Sequence, residues 1–118
     1  MEKIIKIKKP WGQEEILFSD KHYTFKRLIL KSGCRTSLQY HRYKTETMYF
    51  LSGQGVIEFH YPKIKKTIKN KIKYHLPYTV KPGLIHRITA KNTLLYLEAS
   101  TSQLKDVVRL EDDYNRIK

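Results

Sequence analysis

Four side chains stand at spacings that suit a divalent metal. One residue separates Gln39 from His41, four lie between His41 and Glu46, and six between Glu46 and Gly53. Residues two apart on a β-strand share a face, so Gln39 and His41 project together. Glu46 stands at odd spacing from His41, and a continuous strand would turn it away. A turn within residues 42–45 is therefore expected, returning Glu46 on the neighbouring strand to the same side. An amide oxygen, an imidazole and a carboxylate then aim at one point, as hard-to-borderline ligands for a divalent cation. A fourth candidate, His86, follows the turn Lys81-Pro82-Gly83 at the start of a further strand.

Positioning these groups takes many short strands. Strand patterns are read at residues 3–9, 14–18, 23–31, 37–41, 46–51, 56–61, 75–80, 86–90 and 94–100. The first has lysines that suit a sheet edge. Ser52-Gly53-Gln54-Gly55 is a hairpin signal, and Pro10, Gly12, Pro82 and Gly83 mark other turns. Met48 and Phe50 share the strand parity of Glu46 and are expected to wall the site with apolar surface. Val107, Leu110 and Tyr114 are spaced for one face of a short helix. Such a pattern, with almost no other helical periodicity, predicts an all-β barrel or jelly roll. Neither a linker nor an internal repeat divides the 118 residues, and the expectation is one domain over 1–118.

Composition sets limits. Cys34 is the only cysteine, so no intramolecular disulfide forms, which suits a reducing cytosol. No apolar run is long enough to cross a membrane, and Met1-Glu2-Lys3-Ile4-Ile5-Lys6 is too short and interrupted for a secretion signal. A soluble, cytoplasmic protein is expected. The net charge of +13, from 24 Lys+Arg against 11 Asp+Glu, attracts anions such as phosphate esters. The densest basic run, residues 62–73, also holds Ile64, Ile68 and Ile72, a spacing that suits a strand or a short helix equally. Tyr61 and Tyr74 flank it, but no nucleic-acid motif accompanies it, so a solvated face is expected and a nucleic-acid partner is not.

The residues 33–53 follow the pattern Gly-x5-His-x-His-x4-Glu-x6-Gly with Gln39 in place of the first histidine, and Gly83-Leu84-Ile85-His86 supplies its second half. The chain thereby resembles the cupin superfamily, whose fold is a jelly-roll β-barrel. Lys9-Pro10-Trp11-Gly12, Ser37-Leu38-Gln39-Tyr40-His41 and the terminal Val107-Val108-Arg109-Leu110-Glu111-Asp112-Asp113-Tyr114-Asn115-Arg116 narrow it. Together they resemble the cupin domain of type II mannose-6-phosphate isomerases. In that family the domain usually follows a mannose-1-phosphate guanylyltransferase domain; here a stand-alone domain is expected, with residues 62–73 forming paired strands around Asn70.

The resemblance implies a metal-dependent aldose–ketose isomerase that interconverts mannose 6-phosphate and fructose 6-phosphate. Its alternative is a non-catalytic or regulatory metal-binding cupin that binds a sugar or sugar nucleotide. Gln39, His41, Glu46 and His86 match the metal ligands. Zn²⁺ is expected, with Mn²⁺, Fe²⁺, Co²⁺ or Ni²⁺ as substitutes, to steady the negative charge of an enediolate. Glu98 is expected as the base and Arg35, of the same parity as Gln39 and His41, as a second catalytic group pointing into the cavity. Arg109, Arg116 and Lys26 are expected to bind the sugar phosphate, and the assembly to be a homodimer.

Overall fold

The computed structural model of the chain describes residues 3–117. Met1, Glu2 and Lys118 lie outside the described residues, and so does the part of the N-terminal reading that rests on them. In chain order the strands are β1 (Ile5–Lys9), β2 (Gly12–Ser19), β3 (Thr24–Leu30), β4 (Leu38–Tyr40), β5 (Glu46–Ser52), β6 (Gly55–Tyr61), β7 (Lys66–Lys71), β8 (Pro77–Val80), β9 (Ile85–Ala90), β10 (Leu94–Ser100) and β11 (Val108–Glu111). One 3₁₀ turn, Pro62–Ile64, precedes β7. Among the described residues no helix is long and apolar enough to cross a membrane.

The strands form two antiparallel sheets. The larger has the order β1-β2-β3-β10-β5-β8 and the smaller β11-β4-β9-β6-β7. Period-two alternation decides which side chains enter the space between them. On β3, Thr24, Lys26, Leu28 and Leu30 are buried while Phe25, Arg27 and Ile29 between them are less so. On β5 the inward set is Glu46, Met48 and Phe50. The core joins Leu28, Leu30, Met48, Phe50 and Tyr96 of the larger sheet to Ile57 and Ile88 of the smaller. The Tyr96 and Phe50 rings stack with centroids 4.7 Å apart, within the range where aromatic pairs attract beyond their buried area.

Three local expectations are corrected. Glu46 does not return on a strand beside His41: β4 lies in the smaller sheet and β5 in the larger, so the turn carries the chain from one sheet to the other. Residues 62–73 do not pair about Asn70. The chain reverses earlier, at Pro62–Ile64 with Lys65 in the left-handed region (φ 51°), and Asn70 lies inside β7, opposite Ile57. The tail is a strand rather than a helix, because β11 finds ladder partners in β4, Val108 opposite Tyr40 and Arg109 opposite Gln39. One edge of each sheet is lysine-rich: β1 and β7 carry exposed Lys6, Lys8, Lys66, Lys69 and Lys71, a pattern that discourages edge-to-edge pairing.

The hairpin between β5 and β6 is locked to the one between β9 and β10. Lys91 N–H donates to Gln54 O (2.8 Å) and Gln54 N–H to Asn92 Oδ1 (2.6 Å). Gly53 makes this approach possible: its φ is +93° and an added Cβ would lie 2.1 Å from Thr93 O. Gly53→Ala is expected to lower stability by about 2–4 kcal/mol, from strain plus overlap. Gly33→Ala, at positive φ with open space around it, should cost about 1–2 kcal/mol. Urea unfolding of the two variants checks the difference.

Candidate metal centre

The two sheets meet at His41, Glu46 and His86, all buried. Their nearest ligand atoms lie within 4.8 Å of one another. His41 Nε2 is 2.6 Å and His86 Nε2 3.4 Å from the same oxygen, Glu46 Oε1. The far side of each imidazole faces a backbone carbonyl: His41 Nδ1–H donates to Asp106 O (2.5 Å) and His86 Nδ1–H to Leu84 O (2.9 Å). A carbonyl only accepts, so Nδ1 carries the proton and Nε2 of the neutral ring presents a lone pair. Two imidazole nitrogens and a carboxylate oxygen therefore converge, each able to ligate once a cation replaces the hydrogen bonds they share. That donor set fits a divalent cation.

Gln39 lines the same cavity from β4, opposite His86 across the ladder. Its Oε1 accepts from Ser37 Oγ at 2.5 Å, and a carbonyl oxygen keeps a second lone pair for another partner. All four expected ligands thus face one cavity, three of them with converging atoms.

Asp106 is the organising residue that sequence reasoning missed. Besides its carbonyl on His41, its carboxylate accepts from the N–H groups of Arg42, Tyr43 and Lys44 at 2.9, 2.7 and 2.9 Å. Burial pushes this carboxyl up, but those three bonds outweigh it and hold it below the usual range. The turn that carries the chain between sheets is closed by a side chain from the far end of the sequence.

Behind the three ligands lies a second layer of charge. Glu98, opposite Lys26 on the ladder, is buried and pushed well above the ordinary carboxylate range, first by burial and then by the Glu46 charge. Glu46 moves the other way: burial raises it, but hydrogen bonds with Glu98, His41 and His86 carry it well below. The two carboxyls titrate as a coupled pair, with Glu98 the one pushed up and Glu46 the one held down. Lys26 contacts Glu14 closely and Glu98 at 4.0 Å, and Lys9 reaches Glu14 at 3.3 Å. Burial alone would depress the Lys26 ammonium, yet Glu98, Glu14 and Glu46 raise it. Glu14 and Lys44, both buried and both on the cavity wall, had not been singled out. Lys44 precedes β5 in the turn between the sheets, so no strand parity marks it.

The C-terminal segment forms the rim. Arg109 and Arg116 both line the cavity. Arg116 is held by Asp112 through two bonds of 2.9 and 2.8 Å, which pull the Asp112 carboxyl down to about 2. Arg109 Nε is buried with no hydrogen-bond partner; burial and the Arg116 charge lower its pKa. Arg35 is not brought to the cavity. Its guanidinium binds Asp113 bidentately, Nε at 2.7 Å and Nη2 at 2.9 Å, while its backbone forms an isolated antiparallel bridge with Thr89. The parity argument for it fails because Arg35 precedes β4 and belongs to no strand of the ladder.

With this geometry established, comparison with known proteins places the chain. The sequence matches the family described as mannose-6-phosphate isomerase C-terminal over residues 1–117, and the chain belongs to that family. Its fold is that of the cupins. CapF, a capsular polysaccharide assembling protein from Staphylococcus aureus, superposes with a TM-score of 0.82 at 17% identity, over 94% of this chain and 33% of that one. Oxalate decarboxylase from Bacillus subtilis gives 0.77 at 15% identity, over 91% and 30%. Oxalate oxidase in complex with the substrate analogue glycolate gives 0.65 at 15% identity, over 75% and 46%. The chain therefore spans about a third of the length of CapF. No curated protein matches its sequence.

Two outcomes follow from the geometry. Asp106→Ala should weaken metal binding by about 10–100-fold, because the His41 orientation and its turn loosen together; metal titration against a competing chelator reads this. Asp112 has a folded-state pKa of about 2 against an unfolded value of about 3.9. Its stabilisation is full above the unfolded value and fades as pH falls from about 4 to about 2. Asp112→Asn should flatten the acid limb of stability there, measured by circular dichroism across that range.

Proposed function

We propose that this chain is a metal-dependent aldose–ketose isomerase of sugar phosphates, with mannose 6-phosphate and fructose 6-phosphate as the pair to test. The observation that carries it is the buried His41/Glu46/His86 cluster, with a second buried carboxyl, Glu98, whose pKa is pushed up by burial and by the Glu46 charge. Isomerisation moves one proton between adjacent carbons, and Glu98 would serve as the proton carrier beside the expected ion. His41, Glu46, His86 and Gln39 would hold the metal, Zn²⁺ by preference. Bound there, the metal supplies Lewis-acid stabilisation of oxyanion charge. A neighbouring cation favours ionised carboxylates, which brings the raised Glu98 back toward the working range of a general base.

Lys26 and Lys44 balance the carboxylates and orient hydroxyl groups of the sugar. Arg109, with its unpaired Nε, takes the phosphate through its planar fork, and Arg116 adds charge from its Asp112 clamp. Arg35 has no part in this arrangement; it secures the tail through Asp113. The protein is proposed to act in the cytoplasm as a homodimer, as one domain over 1–118.

A second reading is favoured by size. The cavity is about 120 Å³, small beside the usual range for ligand pockets. A domain that holds a metal and a small sugar-derived ligand without turnover also suits it.

Metal analysis of the purified protein should give about one divalent ion per chain, lost in His41→Ala and His86→Ala. A coupled assay on a panel of phosphorylated aldoses then separates the readings. Isomerisation that depends on added metal supports the first; ligand-induced melting shifts without turnover support the second. Under the first, Glu98→Gln should lower kcat by about 10²–10⁴-fold with metal content kept. Arg109→Ala should raise KM by about tenfold or more.

A further inference from the structure

A second cavity, independent of the ion site, opens at the other end of the barrel. Glu46 begins β5 and Gly53 follows its end; His86 is the second residue of β9 and Lys91 follows its end. At the rise of an extended chain the two sites are separated by about 20 Å. The cleft has a volume of about 600 Å³ and is lined by the β5–β6 hairpin, by Lys91 and by the chain leaving β7. It shares no lining residue with the first cavity.

Its chemistry is one-sided. Lys71, Lys73 and Lys91 line it together with His75, and no carboxylate does. Among the described residues none of the three ammonium groups has an ion-pair partner within 4.0 Å. Lys71 and Lys73 are two residues apart, so their charges repel with nothing built in to relieve them. The remaining wall is apolar: Val56, Ile72 and the ring of Tyr74. That ring is fixed in place, because its hydroxyl donates to Gly53 O while 45% of the residue stays exposed. Its neighbour is fixed too, with Lys73 N–H donating to Tyr78 Oη at 2.9 Å. Ile72 N–H donates to Gly55 O at 3.0 Å, so the floor is tied to the hairpin.

We propose that this cleft binds a nucleoside phosphate, with the lysines on the phosphates and Tyr74 against the base. Three ammonium groups with no internal counter-charge call for a multiply charged anion. A preset aromatic wall beside them calls for a flat apolar ring in the same ligand, since stacking on an exposed aromatic face is tolerant of base identity. Inorganic phosphate or a simple sugar phosphate would leave that wall unused. The cleft's volume lies in the range that encloses one small ligand, which suits a mononucleotide better than a continuous strand.

Calorimetric titration of the full chain with ADP, adenosine and inorganic pyrophosphate at one fixed ionic strength tests this. ADP should bind saturably at about one per chain, with adenosine and pyrophosphate each weaker by about tenfold or more. Lys71→Gln with Lys91→Gln should weaken ADP by about tenfold or more. Tyr74→Ala should weaken ADP and leave pyrophosphate unchanged. Melting temperatures near that of the parent establish that each variant is folded. His41→Ala should bind ADP as the parent does, so loss of the isomerase reading would leave this result standing. The proposal is overturned if ADP does not bind, if ADP and pyrophosphate bind equally, or if ADP binding survives the lysine substitutions. It is likewise overturned if a single-stranded oligonucleotide binds through these lysines and ADP does not displace it.

Discussion

Two imidazole nitrogens and a carboxylate oxygen are held in one buried space, with the outer nitrogen of each ring already satisfied. Such groups repel unless a cation or a proton sits between them. The protein fixes this unfavourable meeting through bonds on the far side of each ring, to Asp106 O and Leu84 O. Everything else about the barrel interior follows from accommodating it. Apolar packing by Met48, Ile88 and Tyr96 surrounds the acceptors and lowers the local dielectric, which strengthens any cation interaction and makes an unmatched charge costly.

The buried lysines show the same constraint one layer out. Lys26, Lys44, Glu14 and Glu98 are all buried, where charged groups persist only when matched. Lys26 sits between Glu14 and Glu98, and burial with the Glu46 charge pushes the Glu98 carboxyl well above its usual range. Among the described residues, Arg109 Nε at the rim is the buried side-chain nitrogen left without a hydrogen-bond partner. That asymmetry gives the cavity a direction: matched charge at the base and unmatched positive charge at the opening.

Much of the fold and centre was legible in the sequence because strand parity is a strong local signal. Gln39 and His41 share a face, Met48 and Phe50 share the face of Glu46, and the hairpin at Gly53–Gly55 falls where its glycines put it. What was not legible depended on partners far away in the chain. The tail periodicity at Val107, Leu110 and Tyr114 suits a helix, but the exposed edge of β4 offers ladder bonds that a short helix lacks. The isoleucines at Ile64, Ile68 and Ile72 obscured the reversal at Pro62, where proline and a left-handed Lys65 make the turn. Asp106 gave no local sign of its role, since its four acceptor contacts lie more than sixty residues back in the chain. Arg35 had the right parity and the wrong place, because parity holds only along an unbroken strand.

The segment from Leu104 to Arg116 carries the Asp106 carbonyl, the Arg109 and Arg116 rim and a sheet strand in one short stretch. Thermodynamic linkage then runs both ways through it. Whatever occupies the centre must restrain the fraying of the carboxyl-terminal end, and whatever peels that end away must loosen the grip on the occupant. Amide-exchange protection at residues 104–116 is in consequence a gauge of occupancy that needs no signal from the ion itself.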